Sequence, residues 1–420
     1  MLQSTCTHLA GLPVADVVRD FGTPTFVYDA AVIEERIRDL RRFDVVRYAQ
    51  KANANLAILD LVRRNGALLD AVSAGEIHRA LAAGYPATGD PPPILYCADI
   101  FDRDALEAVV EQGIAVNCGS LDMIDQYGER VQGAEIVLRI NPGFGHGHSR
   151  KTNTGGEHSK HGIWHEDLGE ALRRAKRASL RVTGVHVHIG SGVDMEHLAR
   201  VCDALEGFAR TVGPDVHMIS AGGGLPVPYR DGEPRADTEA YFRRWDETRK
   251  CLEESFGHAV RLEIEPGRYL VAEAGFLVAE IRAVKTQGEN LFYVLDAGFN
   301  NLPRPILYGA YQPMAVVPAA GDGGERPFQE VVVGGPLCES GDIFTQDEGG
   351  FVRTERLPEA RVGEHLVIGG AGAYAFAMGS NYNSKPLAAE VLVIGGKAHL
   401  ARGRQSVEDL IRGESIPPAF

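Results

Sequence analysis

Between about residues 30 and 270, short apolar runs alternate with longer stretches of helical periodicity, and this alternation limits the possible folds more than any other feature. Apolar, β-branched runs predict strands, and the Ala-, Leu-, Glu- and Arg-rich stretches between them predict helices. Strands separated by helices pair in parallel through right-handed crossovers. The predicted strands are 45–50, 67–72, 94–98, 114–117, 135–140, 182–188, 216–221 and 262–265. The predicted helices are 31–41, 55–65, 74–83, 102–112, 167–177, 195–211 and 238–255.

Eight such units in about 240 residues have the size of a closed (β/α)8 barrel of the TIM type. A doubly wound open sheet is the alternative, because the spacing favours the barrel only modestly. Near Gly275 the helical periodicity gives way to alternating runs ended by Gly, Pro and Asp, which predicts a β domain. We therefore expect an α/β barrel over 28–273 and a β domain over 274–420, completed by residues 1–27 and ending in a short helix at 406–412.

Composition excludes several classes of protein. The net charge of −14 argues against sequence-independent nucleic-acid binding and against docking on anionic lipid. Apolar runs fall short of the roughly 20 residues that a membrane span needs, and the N-terminus lacks the pattern of a secretory signal. The six cysteines are scattered without a CxxC pair, which is typical neither of a disulfide framework nor of a zinc site. We expect a cytoplasmic protein with no nucleic-acid or membrane partner.

The C-terminal ends of the strands form the active face of a barrel of this type. An amine nucleophile, an anion-binding glycine turn, an acid and a flat ring all fall at those ends. A pyridoxal-phosphate site requires these parts. The residues at the predicted strand ends are Lys51, Asp70, Arg139, His186, His188, Gly222–Gly224, Glu265 and Arg268.

Each of these residues also has an ordinary structural explanation. Lys51 could simply face solvent, and the glycines 222–224 could form a tight turn. Glu265 and Arg268 could be an ion pair, and His188 could be a core histidine. Their coincidence on one face favours the functional interpretation.

Four histidines, His146, His148, His158 and His161, lie in a Gly-rich polar stretch. A zinc site needs three or four ligands that are held by further partners. A loop at the active face is the better interpretation, and we expect no metal.

The chain resembles the fold-type III pyridoxal-phosphate decarboxylases, and most closely the diaminopimelate decarboxylase family, over essentially its whole length. The order and spacing of the matching segments make the resemblance specific. These segments are FGTPTFVYD (21–29), VVRYAQKAN (45–53), LDAVSAGEIHRALAAGY (69–85), NPGFGHGHSRKTNTGGEHSKHGIW (141–164), HVHIGSGVD (186–194), SAGGG (220–224), EIEPGR (263–268), RPILYGAY (304–311), GPLCESGD (335–342) and GAYAFAMGSNYNSKP (372–386).

The resemblance implies pyridoxal 5'-phosphate as the cofactor and assigns residues to it. Lys51 would bond covalently to the cofactor, His188 would stack on its ring, and Glu265 would pair with its ring nitrogen. The residues implied for the phosphate are Ser191, Gly222, Gly223, Gly224 and Tyr374. A supporting polar network would comprise Asp70, Glu76 and Arg139, and Arg268 would face both cofactor and substrate.

The resemblance further implies a homodimer with shared active sites. Cys338 and Glu339 would reach the partner's site, and Arg304, Tyr308 and Tyr374 would contact the substrate. Cys338 is the candidate donor of the proton that replaces the lost carboxyl group. Lys51 is the alternative donor.

The implied reaction converts meso-2,6-diaminopimelate to L-lysine and carbon dioxide, the last step of lysine biosynthesis. The distal carboxylate suits the planar guanidinium of Arg304, and the distal amine suits Glu339. Both side chains could instead form interface ion pairs. The alternatives are a related decarboxylase of another basic or D-amino acid (ornithine, lysine, carboxynorspermidine or a carrier-bound amino acid) and a non-catalytic paralogue. A non-catalytic paralogue is expected to lack Cys338, Glu339 and Tyr374, which are present.

Overall fold

The structure, a computed structural model, describes residues 2, 4–145, 155–188, 195–319, 324 and 326–418. The chain divides into two compact units. The barrel unit comprises residues 33–227 and 234–270, and the β unit comprises residues 1–32, 228–233 and 271–420. The domain limits expected from the sequence, 28–273 and 274–420, remain a prediction, because these units are defined by compactness alone. Among the described residues, no helix combines the length and the apolar character needed to cross a membrane.

Helices and strands alternate through the barrel unit, whereas strands dominate the β unit. The strands are β1 (His8–Leu9), β2 (Leu12–Pro13), β3 (Thr25–Asp29), β4 (Val45–Ala49), β5 (Leu68–Ala71), β6 (Ile94–Ala98), β7 (Ala115–Cys118), β8 (Glu135–Asn141), β9 (Ile163–Trp164), β10 (Arg181–His186), β11 (Met218–Ser220), β12 (Arg261–Ile264), β13 (Gly275–Gln287), β14 (Asn290–Leu295), β15 (Met314–Val317), β16 (Phe328–Gly334), β17 (Glu355–Pro358), β18 (His365–Ile368), β19 (Ala389–Ile394) and β20 (Lys397–Arg402). The α-helices are α1 (Val14–Phe21), α2 (Ala30–Asp39), α3 (Leu56–Arg64), α4 (Ala74–Ala82), α5 (Arg103–Gln112), α6 (Leu121–Gly128), α7 (Leu168–Arg177), α8 (Met195–Val212), α9 (Thr238–Phe256), α10 (Arg268–Val271) and α11 (Arg304–Tyr308).

Eight strands of the barrel unit close into a ring of parallel pairs. β4 to β8 pair in chain order, and β8 pairs with β10. β10, β11 and β12 continue the ring, and β12 closes it by pairing with β4. Every residue of β4 and of β6 is buried, as expected of strands with helices on one side and the barrel interior on the other. The predicted (β/α)8 barrel is confirmed, and the open-sheet alternative is wrong because the ring is closed.

The β unit is built on a mixed sheet with the strand order β17-β16-β14-β13-β3-β19-β20. β3, from the N-terminal part of the chain, pairs antiparallel with β13 and parallel with β19. β18 pairs with both β13 and β15. The predicted β domain is confirmed, and an N-terminal strand lies inside its sheet.

The short helix predicted over 406–412 is present only as a 3-10 helix of four residues, so its predicted length is wrong. Residues Glu408–Ile411 form one 3-10 turn without a buried side chain. Ser406 and Asp409 bond each other's backbone N–H groups, at 2.9 and 3.1 Å, and this closes the turn locally. Ile411 is 64% exposed, so a longer helix would bury no apolar face to stabilise it.

A buried ion pair spans β4 and β12, where the barrel closes. Arg47 Nε and Nη2 donate to Glu263 Oε2 at 3.0 and 2.9 Å, and Arg47 Nη1 donates to Pro92 O at 2.8 Å. Arg261 Nε donates to the other Glu263 oxygen at 2.8 Å. The Arg47 and Glu263 side chains are 1% and 0% exposed. Each buried charge is therefore stabilised by the opposite charge of the other residue.

Arg47→Met is expected to lower the free energy of unfolding by about 3–5 kcal/mol, because it leaves a buried carboxylate with one guanidinium fewer. Urea unfolding of the two proteins measures the difference. Arg38→Met on the exposed face of α2 is the control, and it should change the free energy by less than about 0.5 kcal/mol. Equal losses in both variants would contradict the role given to the ion pair.

Candidate active site

A ring of polar side chains lies at the C-terminal ends of the barrel strands. Each strand contributes one buried residue at its end or directly after it. Contacts between residues of non-neighbouring strands, such as Cys97 and His186, show that these side chains point into the barrel. The polar ring consists of Gln50, Asp70, Cys97, Asn117, Arg139, His186, Ser220 and Glu265.

Glu265 is one of the two acids of the polar ring, with Asp70. Its side chain is 6% exposed. Ser220 Oγ donates to Glu265 Oε1 at 2.9 Å, and His186 Nε2 lies 3.2 Å from Oε2. The backbone N–H of Glu265 donates to Gly222 O at 2.8 Å, which ties the acid to the glycine turn. The structure therefore brings the predicted acid and the predicted anion-binding turn together.

Lys51 lies in the 3-10 turn Gln50–Ala52 that follows β4, and it is exposed. Burial and the negative charge of Glu265 raise the pKa of Asp70 well above its usual range, against the opposing charges of Lys51 and Arg139. Burial also raises the pKa of Glu76, whose Oε2 accepts from Val72 N at 2.8 Å. The structure thus gathers the predicted amine and its predicted polar network at one end of the barrel.

His188 is fixed to the glycine turn. Gly223 N donates to His188 Nδ1 at 3.1 Å. Burial lowers the pKa of His188 well below its usual range, so the imidazole is neutral. A Cβ on Gly222 would lie 2.4 Å from Val187 O, and one on Gly223 would lie 2.5 Å from Glu265 O, so both positions require glycine. Gly224 continues the turn, and Ser191 lies outside the described residues.

This arrangement fits pyridoxal phosphate. Among the described residues, Asp70 Oδ1 and His186 Nε2 are buried polar atoms without an aligned hydrogen-bond partner. A neutral imidazole suits contact with an aromatic ring, and the glycine turn lies beside it, with Gly223 N bonded to His188 Nδ1 and Gly222 N bonded to Ser220 Oγ. The donors and acceptors at this end of the barrel therefore match the groups of the cofactor. Arg268, at the start of α10, is half-buried.

In the β unit, Arg304 begins α11 and is 6% exposed. Its guanidinium lies over the ring of Tyr229, 4.6 Å from the centroid. With the Gln312 amide oriented so that its nitrogen donates to Gly369 O at 2.7 Å, the Gln312 oxygen accepts from Arg304 Nη1 at 2.6 Å. Tyr308 ends the same helix and is half-buried. A planar cation is therefore held in one orientation by a stacked ring and an amide.

Cys338 and Glu339 lie in the turn after β16, and both side chains are exposed. The buried carboxylate of Asp342 organises this turn, because it accepts from Phe299 N at 2.7 Å and from Leu337 N at 2.8 Å. Cys338 N donates to Asn383 Oδ1 at 2.7 Å. The turn thus presents a thiol and a carboxylate on a firmly bonded backbone.

Tyr374, the remaining predicted site residue of the β unit, is half-buried. Its φ of +55° lies in the left-handed region, which is uncommon for a residue other than glycine.

In the described part of the histidine-rich stretch, His161 contacts a carboxylate. His161 Nδ1 lies 2.5 Å from Asp99 Oδ2, and Gly162 N donates to Asp99 Oδ1 at 2.9 Å. His158 is exposed, and His146 and His148 lie outside the described residues. His161 thus pairs with a carboxylate at the end of β6.

Four members of the polar ring were missed by sequence reasoning about function: Gln50, Cys97, Asn117 and Ser220. The signal was present, since all four fall at the ends of predicted strands. Neutral polar residues at strand ends are common, so their position alone does not predict a role.

The free energy of unfolding should fall as the pH is lowered from about 6.5 to about 4. Burial lowers the pKa of His186 from 6.5 to about 4, so between these values the unfolded chain binds a proton that the folded chain does not. Across this pH range the effect of His186 amounts to roughly 3 kcal/mol of unfolding free energy. The His186→Gln variant should not show this loss. Urea unfolding at several pH values measures it, and identical slopes in both proteins would contradict the neutral assignment.

Comparison with known proteins identifies the family. Residues 31–272 match the family described as pyridoxal-dependent decarboxylase, pyridoxal binding domain. A diaminopimelate decarboxylase of Streptomyces coelicolor is 53% identical over 97% of this chain and 93% of its own length. The chain belongs to the diaminopimelate decarboxylase family. The family resemblance, the carboxy-lyase class and the pyridoxal phosphate cofactor predicted from the sequence are confirmed.

Solved structures of the family share the fold. A crystal structure of diaminopimelate decarboxylase superposes with a TM-score of 0.93 at 50% identity, covering 96% of this chain and 98% of that one. A Helicobacter pylori diaminopimelate decarboxylase complexed with L-lysine has a TM-score of 0.85 at 28% identity, covering 95% of this chain and 98% of that one.

Proposed function

We propose that this chain decarboxylates meso-2,6-diaminopimelate to L-lysine and carbon dioxide, as the last step of lysine biosynthesis. The observation that carries the proposal is the buried, oriented guanidinium of Arg304, which suits a carboxylate at the far end of the substrate. The names of the relatives support the same substrate, and one of them is complexed with L-lysine.

When bound, pyridoxal phosphate supplies an electron-accepting ring that takes up the electron pair left by the departing carbon dioxide. Lys51 Nζ would hold the cofactor through a covalent bond. The Glu265 carboxylate would hold a proton at the ring nitrogen, and His188 would contact the ring. Residues proposed for the phosphate are Ser191, Gly222, Gly223, Gly224 and Tyr374.

The other residues of the site orient these groups and the substrate. Asp70, Glu76 and Arg139 surround Lys51 in this proposal, and the charge of Lys51 opposes the rise in the pKa of both carboxyl groups that burial causes. Arg268 contacts both cofactor and substrate in this proposal.

The residues of the β unit bind the substrate in this proposal. Tyr308 and Tyr374 contact it, and Glu339 accepts a hydrogen bond from its distal amine.

We further propose a homodimer with shared active sites. Cys338 and Glu339 are exposed on a firmly bonded turn, which suits residues that serve the partner subunit's site. Cys338 Sγ would deliver the proton to the α carbon after carbon dioxide leaves, with Lys51 Nζ as the alternative donor. The scattered cysteines are typical of a reduced compartment, and we propose a cytoplasmic location.

Arg304→Ala tests the substrate assignment. We expect kcat/KM for meso-diaminopimelate to fall by about a hundredfold, because a charge-assisted bond to the distal carboxylate is lost. Lysine is quantified by chiral chromatography, with D-ornithine, L-ornithine and L-lysine as parallel substrates. Arg356→Ala, at an exposed arginine of the β unit, is the control and should leave the rate unchanged. Unchanged kcat/KM in Arg304→Ala, or faster turnover of ornithine or lysine by the unmodified enzyme, would contradict the proposal.

A further inference from the structure

His186 has no role in the proposed reaction, yet it lies at the centre of the polar ring. Its side chain is 1% exposed. Its Nδ1 lies 2.7 Å from Asn117 Nδ2 and 3.8 Å from Cys97 Sγ, and its Nε2 lies 3.2 Å from Glu265 Oε2. The imidazole therefore connects the acid of the site to the strands on the opposite side of the barrel.

The two ends of the imidazole indicate the same tautomer. The Asn117 amide nitrogen carries only hydrogens, so His186 Nδ1 accepts at that contact and the ring proton is on Nε2. At the other end, Nε2 faces a carboxylate, which requires a proton there. Burial lowers the pKa of His186 to about 4, so the ring carries one proton and no charge at neutral pH.

A shared metal ion is the alternative reading of this cluster, because Cys97, His186 and Glu265 lie close enough together to hold one. The thiol contacts the Nδ1 side of the imidazole, and the carboxylate lies at the Nε2 side. The thiol and the carboxylate therefore lie at different ring nitrogens, whereas a metal ion would bind the imidazole through one of them. Burial raises the pKa of Cys97 well above its usual range, so the thiol keeps its proton and is a poor ligand. A hydrogen-bonded chain explains the geometry better.

We propose that His186 is a positioning residue, whose neutral imidazole, set by Asn117, donates from Nε2 to Glu265 and holds that carboxylate toward the ring nitrogen of the bound cofactor. The inference rests on the proposed function, in which Glu265 pairs with that nitrogen. Ser220 Oγ donates to the other oxygen at 2.9 Å, so with His186 two neutral donors would fix the plane of the carboxylate without cancelling its charge.

The contact between His186 Nε2 and Glu265 Oε2 is close but not aligned in this structure. The Nε2 to Oε2 distance of 3.2 Å suits a hydrogen bond, but the N–H direction is out of line in this structure. We expect the carboxylate to rotate into line with Nε2 when its free edge meets the ring nitrogen.

Two amide variants of His186 test the role. In His186→Gln the amide nitrogen reaches the position of Nε2, whereas in His186→Asn the amide is one methylene shorter and stays out of reach of Glu265. The readout is the 15N resonance of the ring nitrogen in holoenzyme reconstituted with 15N-labelled pyridoxal phosphate, followed against pH. In His186→Asn we expect the ring nitrogen to lose its proton at least about one pH unit lower, with kcat reduced by about tenfold or more. His186→Gln should restore both toward the unmodified enzyme.

The control and the outcomes separate the two proposals. Cys118→Ser changes a buried residue next to Asn117 on β7 but outside the polar ring, and it should leave the 15N titration unchanged. An unmodified holoenzyme whose ring nitrogen is neutral at pH 7 would overturn the role of Glu265. If the ring nitrogen is protonated in the unmodified holoenzyme but titrates identically in His186→Asn and His186→Gln, only the role of His186 would be overturned.

Discussion

Lys51→Ala is expected to abolish covalent attachment of the cofactor and to reduce decarboxylation at least about a thousandfold, because it removes the amine nucleophile. The side chain is exposed in the turn after β4, so the free energy of unfolding should change by less than about 0.5 kcal/mol. Two measurements decide it: the visible absorption that remains with the protein after dialysis against cofactor-free buffer, and the rate of lysine formation.

Lys176→Ala is the matched control, since Lys176 is an exposed lysine on α7 of the same unit. It should retain the absorption and the rate. Retention of both by Lys51→Ala would remove the nucleophile from the proposal, and the assignment of the carboxyl groups around it would then need another explanation. Loss in both variants would indicate a general effect of lysine replacement.

The barrel was predictable because its signal is local. Each of its strands lies within two residues of the predicted limits, as β4 at 45–49 against 45–50 illustrates. α6 was missed because its eight residues include two aspartates and end in glycine, which gives weak helical propensity. The helix forms because Ser120 Oγ accepts from Met123 N at 3.3 Å at its start, and because Ile124 is fully buried.

The β unit was less predictable because its pairing is non-local. β3 lies between β13 and β19, which are distant in the chain, and no local pattern indicates that position. β15 and β17 are four residues each, too short for a convincing alternation. The residue pattern therefore predicted the class of this unit but not its strand order.

The candidate site was predictable where an unusual combination of residues falls at strand ends, and not where common polar residues do. A lysine, a glutamate and three glycines at strand ends form an unusual combination, whereas Asn117 and Ser220 at strand ends do not. Their importance comes from distances across the barrel, such as 2.7 Å between Asn117 Nδ2 and His186 Nδ1. Sequence periodicity predicts the side of a strand on which a side chain lies. It does not predict which residue of another strand that side chain contacts.

Gly222→Ala should have the second large effect, through the binding of the cofactor. Gly222 has φ of +62°, and an added Cβ would lie 2.4 Å from Val187 O and 2.9 Å from the Cβ of His188. The backbone of the turn must shift to relieve these contacts, and the shift displaces both the turn proposed for the phosphate and the ring of His188. We expect the dissociation constant of pyridoxal phosphate to rise by about a hundredfold.

Gly66→Ala separates this collision from simple backbone strain. Gly66 has φ of +81° in the turn after α3, and an added Cβ there would meet nothing within 4 Å. Both variants should lose about 1–2 kcal/mol of unfolding free energy from the left-handed backbone, but only Gly222→Ala should weaken the cofactor. Absorbance titration of the apoenzymes with pyridoxal phosphate distinguishes them. Equal affinities would mean that the turn moves without disturbing the phosphate, and the glycines would then be a requirement of the fold rather than of the cofactor.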